Sequence, residues 1–304
     1  MSGLDEIEQA VAQVATQVGG SVVGIGRGSG RGSGVVFADG LVATNAHNIR
    51  GDEVTVVFAG ARSAVGQVRG VDVDGDLAVV AVDTEGAAPV AWAATDGLAV
   101  GTAVFALANP GGRQRVTFGL VSAVDRAFRG PRGRRIAGSV EHTAPLARGS
   151  SGGPIVNRTG ELLGLNTNRL GDGFYLALPA DAELRRRIES LARGESTTTP
   201  HLGVGLAPAR VARRLRRAVG LADQDGLLVR VVEEGSPADR AGIKAGDLIV
   251  TAAGQPVTEI DDLYEVLDGL AADAALPVSL VRGTEERTVT VTFGPGGAQN
   301  VGTA

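Results

Sequence analysis

The chain contains no cysteine, which excludes disulfide staples, thiolate metal sites and a cysteine nucleophile. It has a single lysine, Lys244, so Schiff-base chemistry and a phosphate-cradling Gly-Lys-Ser/Thr loop lack a good candidate. Histidine is limited to His47, His142 and His201, too scattered to predict a structural metal site; no metal or cofactor is expected. No run approaches the ~20 apolar residues of a membrane-spanning helix, so no transmembrane segment is expected. A net charge of −5 gives no global field favouring nucleic acid or an anionic membrane. Aromatic residues make up only 3%, against 43% hydrophobic residues and 46 glycines. That balance suits buried cores built from many short strands with tight turns. A length of 304 residues suggests two domains.

The most informative stretch is Ala147-Arg148-Gly149-Ser150-Ser151-Gly152-Gly153-Pro154. Glycines flanking Ser151 permit a tight turn that presents a hydroxyl and two backbone N–H groups to one point. A nucleophile with an oxyanion hole needs that geometry. A glycine-rich turn alone is weak support, because surface loops are often glycine-rich. His47 follows two short apolar strands joined by an Ala-Asp-Gly turn, and Asp76 opens the apolar strand Leu77–Val80. The order His47, Asp76, Ser151 is that of chymotrypsin-like proteases rather than subtilisins or α/β-hydrolases. Taken singly, His47 reads as a structural histidine. The alternating Asp72, Asp74 and Asp76 read as one solvated strand face. The three candidates in order displace that reading for His47 and Asp76. Asp72 and Asp74 keep it, and His142 has no obvious partner.

Thr44-Asn45-Ala46-His47, Asp76-Leu77-Ala78-Val79 and Gly149–Pro154 resemble the three catalytic blocks of the HtrA (Deg) serine proteases. Three further segments, Val100–Gly111, Phe118–Ala123 and Gly160–Thr167, fall in the same order, and the resemblance runs from about residue 10 to residue 293. It implies a mainly β fold, a chymotrypsin-like double β-barrel followed by a PDZ domain, itself a small α+β sandwich. The expected organisation is an N-terminal helical segment (1–20), the protease domain (21–194), a linker (195–200), the PDZ domain (201–294) and a disordered tail (295–304). His47 would be the general base, Asp76 its orienting carboxylate and Ser151 the nucleophile, with the Gly149 and Ser151 N–H groups as oxyanion donors. Pro145, Leu146, Asn166 and Thr167 would line an apolar substrate pocket. In trypsin-like enzymes a carboxylate six residues before the nucleophile selects a basic side chain, and here Pro145 stands there. The family usually carries Asn where this chain has Ser150. The loop holding Arg148, whose long charged side chain would report its state, and the Asp125–Ala137 region are expected to switch between inactive and active arrangements when the PDZ domain or the site binds its ligand.

Toward the C-terminus, Leu202, Gly203 and Val204 match a carboxylate-binding loop. Leu263, Val266 and Leu267 form the apolar side of the helix beside it, so a peptide C-terminus would add a strand. His201 stands where the family is often aromatic; an exposed linker histidine is an equal reading. Leu4, Ile7, Val11, Val14 and Val18 have helical spacing. Packing on the barrel is the favoured reading and a homotrimer contact the sharper one, with a trimer or larger homo-oligomer implied by the resemblance. Gly26–Gly34 reads as a hairpin loop rather than a phosphate cradle. Arg210, Arg213, Arg214, Arg216 and Arg217 form the solvated side of a helix whose apolar side is Val211, Leu215 and Val219. Residues 1–8 are acidic and lack the form of a signal peptide. That predicts a cytoplasmic protein if the chain is full length, and a periplasmic or extracytoplasmic one if an export segment was removed. The resemblance implies a protein quality-control endopeptidase acting on unfolded or misfolded polypeptides, without nucleic acid. Its rivals are a peptide-binding protein with a vestigial protease domain and a serine esterase.

Overall fold

Alternating apolar residues on short strands, where both strand faces are apolar, call for sheets covered on both sides, and the fold meets that demand with two barrels. A computed structural model describes residues 3–26, 32–94, 98–130, 135–171, 173–195, 200–270 and 274–293. The Gly26–Gly34 loop falls mostly outside them, as do residues 196–199 of the linker and the tail. The chain forms two compact units, residues 1–197 and 198–304.

The first unit starts with helix α1 (Gly3–Val18). Strands β1 (Val22–Ile25), β2 (Gly32–Ala38), β3 (Leu41–Thr44), β4 (Glu53–Val57), β5 (Ser63–Asp72) and β6 (Leu77–Ala81) close a barrel in the order β1-β2-β3-β6-β5-β4. A second barrel follows, made by β7 (Ala103–Ala108), β8 (Arg115–Arg129), β9 (Arg135–His142), β10 (Pro154–Val156), β11 (Leu162–Gly171) and β12 (Phe174–Pro179). Its order, β10-β11-β12-β9-β8-β7, is the same topology repeated. One face of each strand fills its own barrel: Val23, Ile25, Val36 and Val80 in the first, Val104, Ile155, Leu163 and Ala177 in the second. The other face, including Val22, Val35, Leu77 and Val79 from the first barrel and Leu107, Leu165, Leu176 and Leu178 from the second, joins one shared cluster. Period-two alternation therefore yields apolar residues at every position of β6.

Two helices complete that cluster. In α1, Val14 and Val18 are buried in it, while Leu4 is 78% exposed and Ile7 is 40% exposed. Helix α2 (Ala182–Ala192) begins where the Asp181 carboxylate caps the Leu184 N–H at 2.8 Å, and it buries Leu184, Ile188 and Leu191. Its polar side makes a contact that sequence spacing does not show. Arg187 donates Nη2 to Asp72 Oδ2 at 2.7 Å and to the Gly75 carbonyl at 3.0 Å, and Asp72 Oδ1 accepts the Gly75 N–H at 2.8 Å. Asp72 and Asp74 are buried, which corrects their reading as a solvated face: the strand end lies under α2 and within reach of the second barrel's Gly130.

The second unit is a sheet in the order β13-β14-β15-β17-β18, with a short β16 on β15. Its strands are β13 (Val204–Ala207), β14 (Leu227–Val232), β15 (Leu248–Ala252), β16 (Gln255–Pro256), β17 (Ala275–Arg282) and β18 (Glu285–Thr292). Helices α3 (Ala209–Ala218), α4 (Pro237–Arg240) and α5 (Ile260–Asp268) interleave with them. Leu202, Leu227, Ile249, Leu263, Leu267 and Leu280 share its core. Helix α3 departs from the expected pattern. Arg216 is buried, donating Nε to the Ala222 carbonyl at 3.1 Å, and Val219 lies past the helix end, 71% exposed. Arg213 and Arg217 pair with Asp225 and Asp223 of the following loop.

Removing the Arg187 head while keeping its stem, by Arg187→Met, leaves Asp72 buried without its cation. The expected cost is about 2 kcal/mol, less than for a fully buried pair because the guanidinium is partly exposed. Trp92 is the sole tryptophan and packs on the shared cluster, so its fluorescence in a urea titration reports on this unit alone. Adding Asp72→Asn should recover most of the loss; no recovery would mean that the pair is not its source.

Candidate active site

Antiparallel pairing brings His47 and Asp76 together. Strands β3 and β6 pair from Leu41↔Ala81 to Thr44↔Ala78, so the chain leaving β3 and the chain entering β6 meet at one end of the barrel. His47 sits in a single helical turn, Ala46–Asn48. Asp76 takes a φ of +51°, a left-handed conformation that Asp tolerates better than most side chains. The Asp76 carboxylate, 2% exposed, accepts from His47 Nδ1 at 2.9 and 3.0 Å and from the His47 N–H at 3.2 Å. A carboxylate only accepts, so Nδ1 carries a proton, and in the neutral ring Nε2 is then the nitrogen with the free lone pair.

Thr167, on β11 of the second barrel, donates Oγ1 to Asp76 Oδ2 at 2.5 Å. Its carbonyl accepts the Ser151 hydroxyl at 3.2 Å. One residue thus touches both the carboxylate and the serine, and Ser151 Oγ points to Thr167 rather than to His47. Thr167 also borders the cavity where the sequence places it, but its side chain serves Asp76.

The turn bearing Ser151 is held from both barrels. The Ser150 N–H closes on the Ala147 carbonyl at 3.3 Å with Gly149 at a φ of +84°, the third turn position, where a positive φ calls for glycine. The Ser151 carbonyl accepts from the Ser33 N–H at 2.8 Å and from Asn48 Nδ2 at 3.0 Å, and Ser33 Oγ donates to the Gly149 carbonyl at 2.7 Å. A Cβ on Gly152 would lie 2.2 Å from the Ser33 carbonyl oxygen, so no larger residue fits. Among the described residues, the Gly149 and Ser151 N–H groups donate to no backbone acceptor, leaving both uncommitted.

His47, Asp76, Ser151, Gly149, Leu146 and Thr167 border one cavity of about 500 Å³, which Phe128 and Tyr175 also line. Pro145 instead lines a neighbouring cavity of about 260 Å³, shared with Leu146. Asn166 is fully buried and lines neither cavity. It donates Nδ2 to the Gly153 carbonyl at 3.0 Å, so its Oδ1 faces His142 Nε2 at 2.9 Å. His142 therefore has a partner, and it stacks on Tyr175 with ring centroids 5.8 Å apart. With Nε2–H donating, Nδ1 is buried with no partner among the described residues. Burial holds the His142 pKa down at about 4, only partly offset by the Asn166 hydrogen bond.

In the second unit, β13 pairs with β14 alone, and its other edge is open among the described residues. Gly203 has a φ of +77°, and a Cβ there would lie 2.2 Å from Ser236 Cβ. Leu202, Leu263 and Leu267 are core residues, whereas Val204 and Val266 are only half-buried. His201 lies 3.5 Å from Glu233.

Comparison with known proteins agrees with both units. The trypsin-like peptidase domain family matches residues 32–165, and the PDZ domain family matches residues 228–282. The chain is 35% identical over 271 residues to a putative serine protease, HhoA, of Synechocystis sp., covering 84% of this chain and 68% of that protein. It is 31% identical to a probable periplasmic serine endoprotease, DegP-like, of Halomonas elongata, covering 86% of this chain and 55% of that protein. The chain thus spans little more than half the length of the latter. Among solved structures, a serine endoprotease from Yersinia pestis is 26% identical with a TM-score of 0.61, covering 93% of this chain and 96% of that one. An HtrA-type protease, AlgW, with a decapeptide shares the fold at a TM-score of 0.63 and 22% identity, covering 93% of this chain and 98% of that one.

Thr167→Val removes one donor to a buried carboxylate at nearly constant volume. A hydrogen bond to a charged group is worth about 1.5–3 kcal/mol, so kcat should fall roughly 10- to 100-fold, with KM for a peptide little changed. For His142 the folded pKa lies below the ordinary histidine value of 6.5, so the unfolded chain binds the extra proton first. Stability is fully present above pH 6.5 and declines as pH falls toward 4, by up to about 3 kcal/mol. Urea unfolding followed through Trp92 should show this slope in the wild type and a flatter one in His142→Gln.

Proposed function

The chain belongs to the HtrA/DegP family of serine proteases, and from that premise we propose that it is an endopeptidase whose catalytic triad is His47, Asp76 and Ser151. The observation that carries this reading is their convergence on one cavity, with Asp76 fixing the His47 tautomer and two N–H groups beside Ser151 uncommitted. His47 Nε2 takes the Ser151 proton as Oγ attacks the peptide carbonyl, and His47 then protonates the leaving amine. The Gly149 and Ser151 N–H groups bind the oxyanion. Losing one such donor costs roughly 100- to 1000-fold in rate. Water releases the acyl group, again with His47 as base. Ser151 begins from a hydrogen bond to the Thr167 carbonyl, so its hydroxyl turns toward His47 before attack.

Leu146, Phe128 and Tyr175 give the cavity an apolar floor, which suits aliphatic side chains at the cut. Folded proteins bury such side chains, so unfolded or misfolded polypeptides are the proposed substrates and protein quality control the proposed role. The open edge of β13 beside the Leu202–Val204 loop suits a peptide C-terminus added as a strand. The exposure of Leu4 and Ile7 on α1 suits a contact between copies, in keeping with a homotrimer. The word periplasmic in the names of relatives favours the extracytoplasmic alternative.

The test is digestion of an unfolded, casein-like protein by the wild type and by Ser151→Ala. Loss of at least about 10⁴-fold of the rate in the variant, with fragments ending in Val, Ala or Leu, is the expected outcome. Absence of cleavage by both proteins, with C-terminal peptides added, would leave the binding-protein reading standing.

A further inference from the structure

Three arginines, Arg129, Arg148 and Arg169, border the cavity that holds Ser151, and all three are exposed. Among the described residues, the only carboxylate lining that cavity is Asp76, which is 2% exposed and committed to His47 and Thr167. Several arginines elsewhere in the chain are neutralised locally. Arg213 and Arg217 pair with Asp225 and Asp223, Arg126 with Glu141, and Arg187 with Asp72. Arg148 and Arg169 pair with no carboxylate among the described residues. Arg169 is instead held over the Tyr175 ring, 5.7 Å from its centroid. Arg129 lies opposite Arg135 in the β8–β9 register. This concentration of one sign occurs in a chain whose net charge is −5, so it is a local property of the cleft.

We propose that Arg129, Arg148 and Arg169 are specificity-determining residues that select polypeptide segments carrying Asp or Glu on either side of an apolar residue at the cut. The proposal rests on the protease reading and narrows its substrate class. A cleft concentrates the field of charges along its rim. Guanidinium groups donate paired hydrogen bonds to carboxylates, and a lysine ammonium on a substrate has no acceptor to take them. A segment with lysine at those places is repelled, so the same residues reject as well as select. The apolar floor reads the residue at the cut, and the charged rim reads its neighbours.

The test uses three peptides with one aliphatic cleavage site, flanked by Glu, Gln or Lys, each with an N-terminal fluorophore. C-terminal amidation removes the carboxylate that the second unit would bind. The wild type gives kcat/KM for each peptide, and full-length Ser151→Ala gives each Kd by anisotropy without turnover. The expected order is Glu, then Gln, then Lys, with Glu ahead of Lys by about tenfold or more at low salt. The gap should close in about 1 M salt, where screening acts beyond about 3 Å. Arg169→Gln and Arg129→Gln should each shrink the Glu-to-Lys ratio. Equal or reversed order in both kcat/KM and Kd overturns the proposal. Selective binding of the Glu peptide by Ser151→Ala, with no cleavage by the wild type, upholds the selectivity and overturns the protease reading instead. If Arg148→Gln slows all three peptides by one factor, Arg148 supports the turn and is not a selector.

Discussion

The site depends on one carboxylate finding hydrogen-bond donors where water hardly reaches it. Asp76 is 2% exposed, and a buried carboxylate is tolerated only when its lone pairs are taken up by donors. Those donors come from both barrels: the His47 backbone and ring from the first, Thr167 Oγ1 from the second. Satisfying Asp76 therefore requires the barrels to meet in one register, and the cluster shared by β1, β6, β11, β12, α1 and α2 supplies the apolar burial that holds them there. The left-handed backbone at Asp76 is kept in place by the Asp72–Gly75 turn and by Arg187 from α2. Catalytic geometry and barrel packing are thus satisfied by the same contacts.

Local signals carried much of this. The turn glycines around Ser151, the hairpin before His47 and the apolar strand after Asp76 are features of consecutive residues, and each lies where the sequence pattern puts it. What escaped were contacts between segments distant along the chain. Ser33, Asn48 and Arg187 reach the site from 118, 103 and 112 residues away from their partners or targets, and no spacing rule connects them. Asp72 was misread because alternation tells which residues share a strand face, not whether a helix covers that face. Asn166 and Thr167 are neighbours on β11, so one faces inward to His142 while the other faces Asp76. A pocket assignment that takes both together ignores the period of a strand.

The arginines show the same limit for charge. Five of them lie within Arg210–Arg217 and make the most conspicuous basic run in the sequence, yet the loop after α3 supplies Asp223 and Asp225 to two of them, and a third is buried on a carbonyl. The arginines around the cavity are separated by many residues and form no run. They become a group only because β8, the nucleophile turn and β11 converge on one opening.

The hydroxyl of Ser151 rests on the Thr167 carbonyl, which raises the question of how much must change for it to act. Its backbone is already fixed on several sides: Ser33 and Asn48 hold its carbonyl, Ser33 Oγ holds Gly149, and Asn166, itself oriented by His142, holds Gly153. With the turn so determined, the proposed step from rest to attack exchanges one hydrogen bond for another of similar worth, about 1 kcal/mol. Little reorganisation is left for the moment of reaction, which is the condition under which fixed N–H dipoles act most strongly on an oxyanion. The same Thr167 whose carbonyl restrains the hydroxyl also completes the carboxylate that holds the His47 ring. A shift of β11 that freed Ser151 by withdrawing Thr167 would therefore weaken Asp76, so productive release has to come from the serine side chain itself.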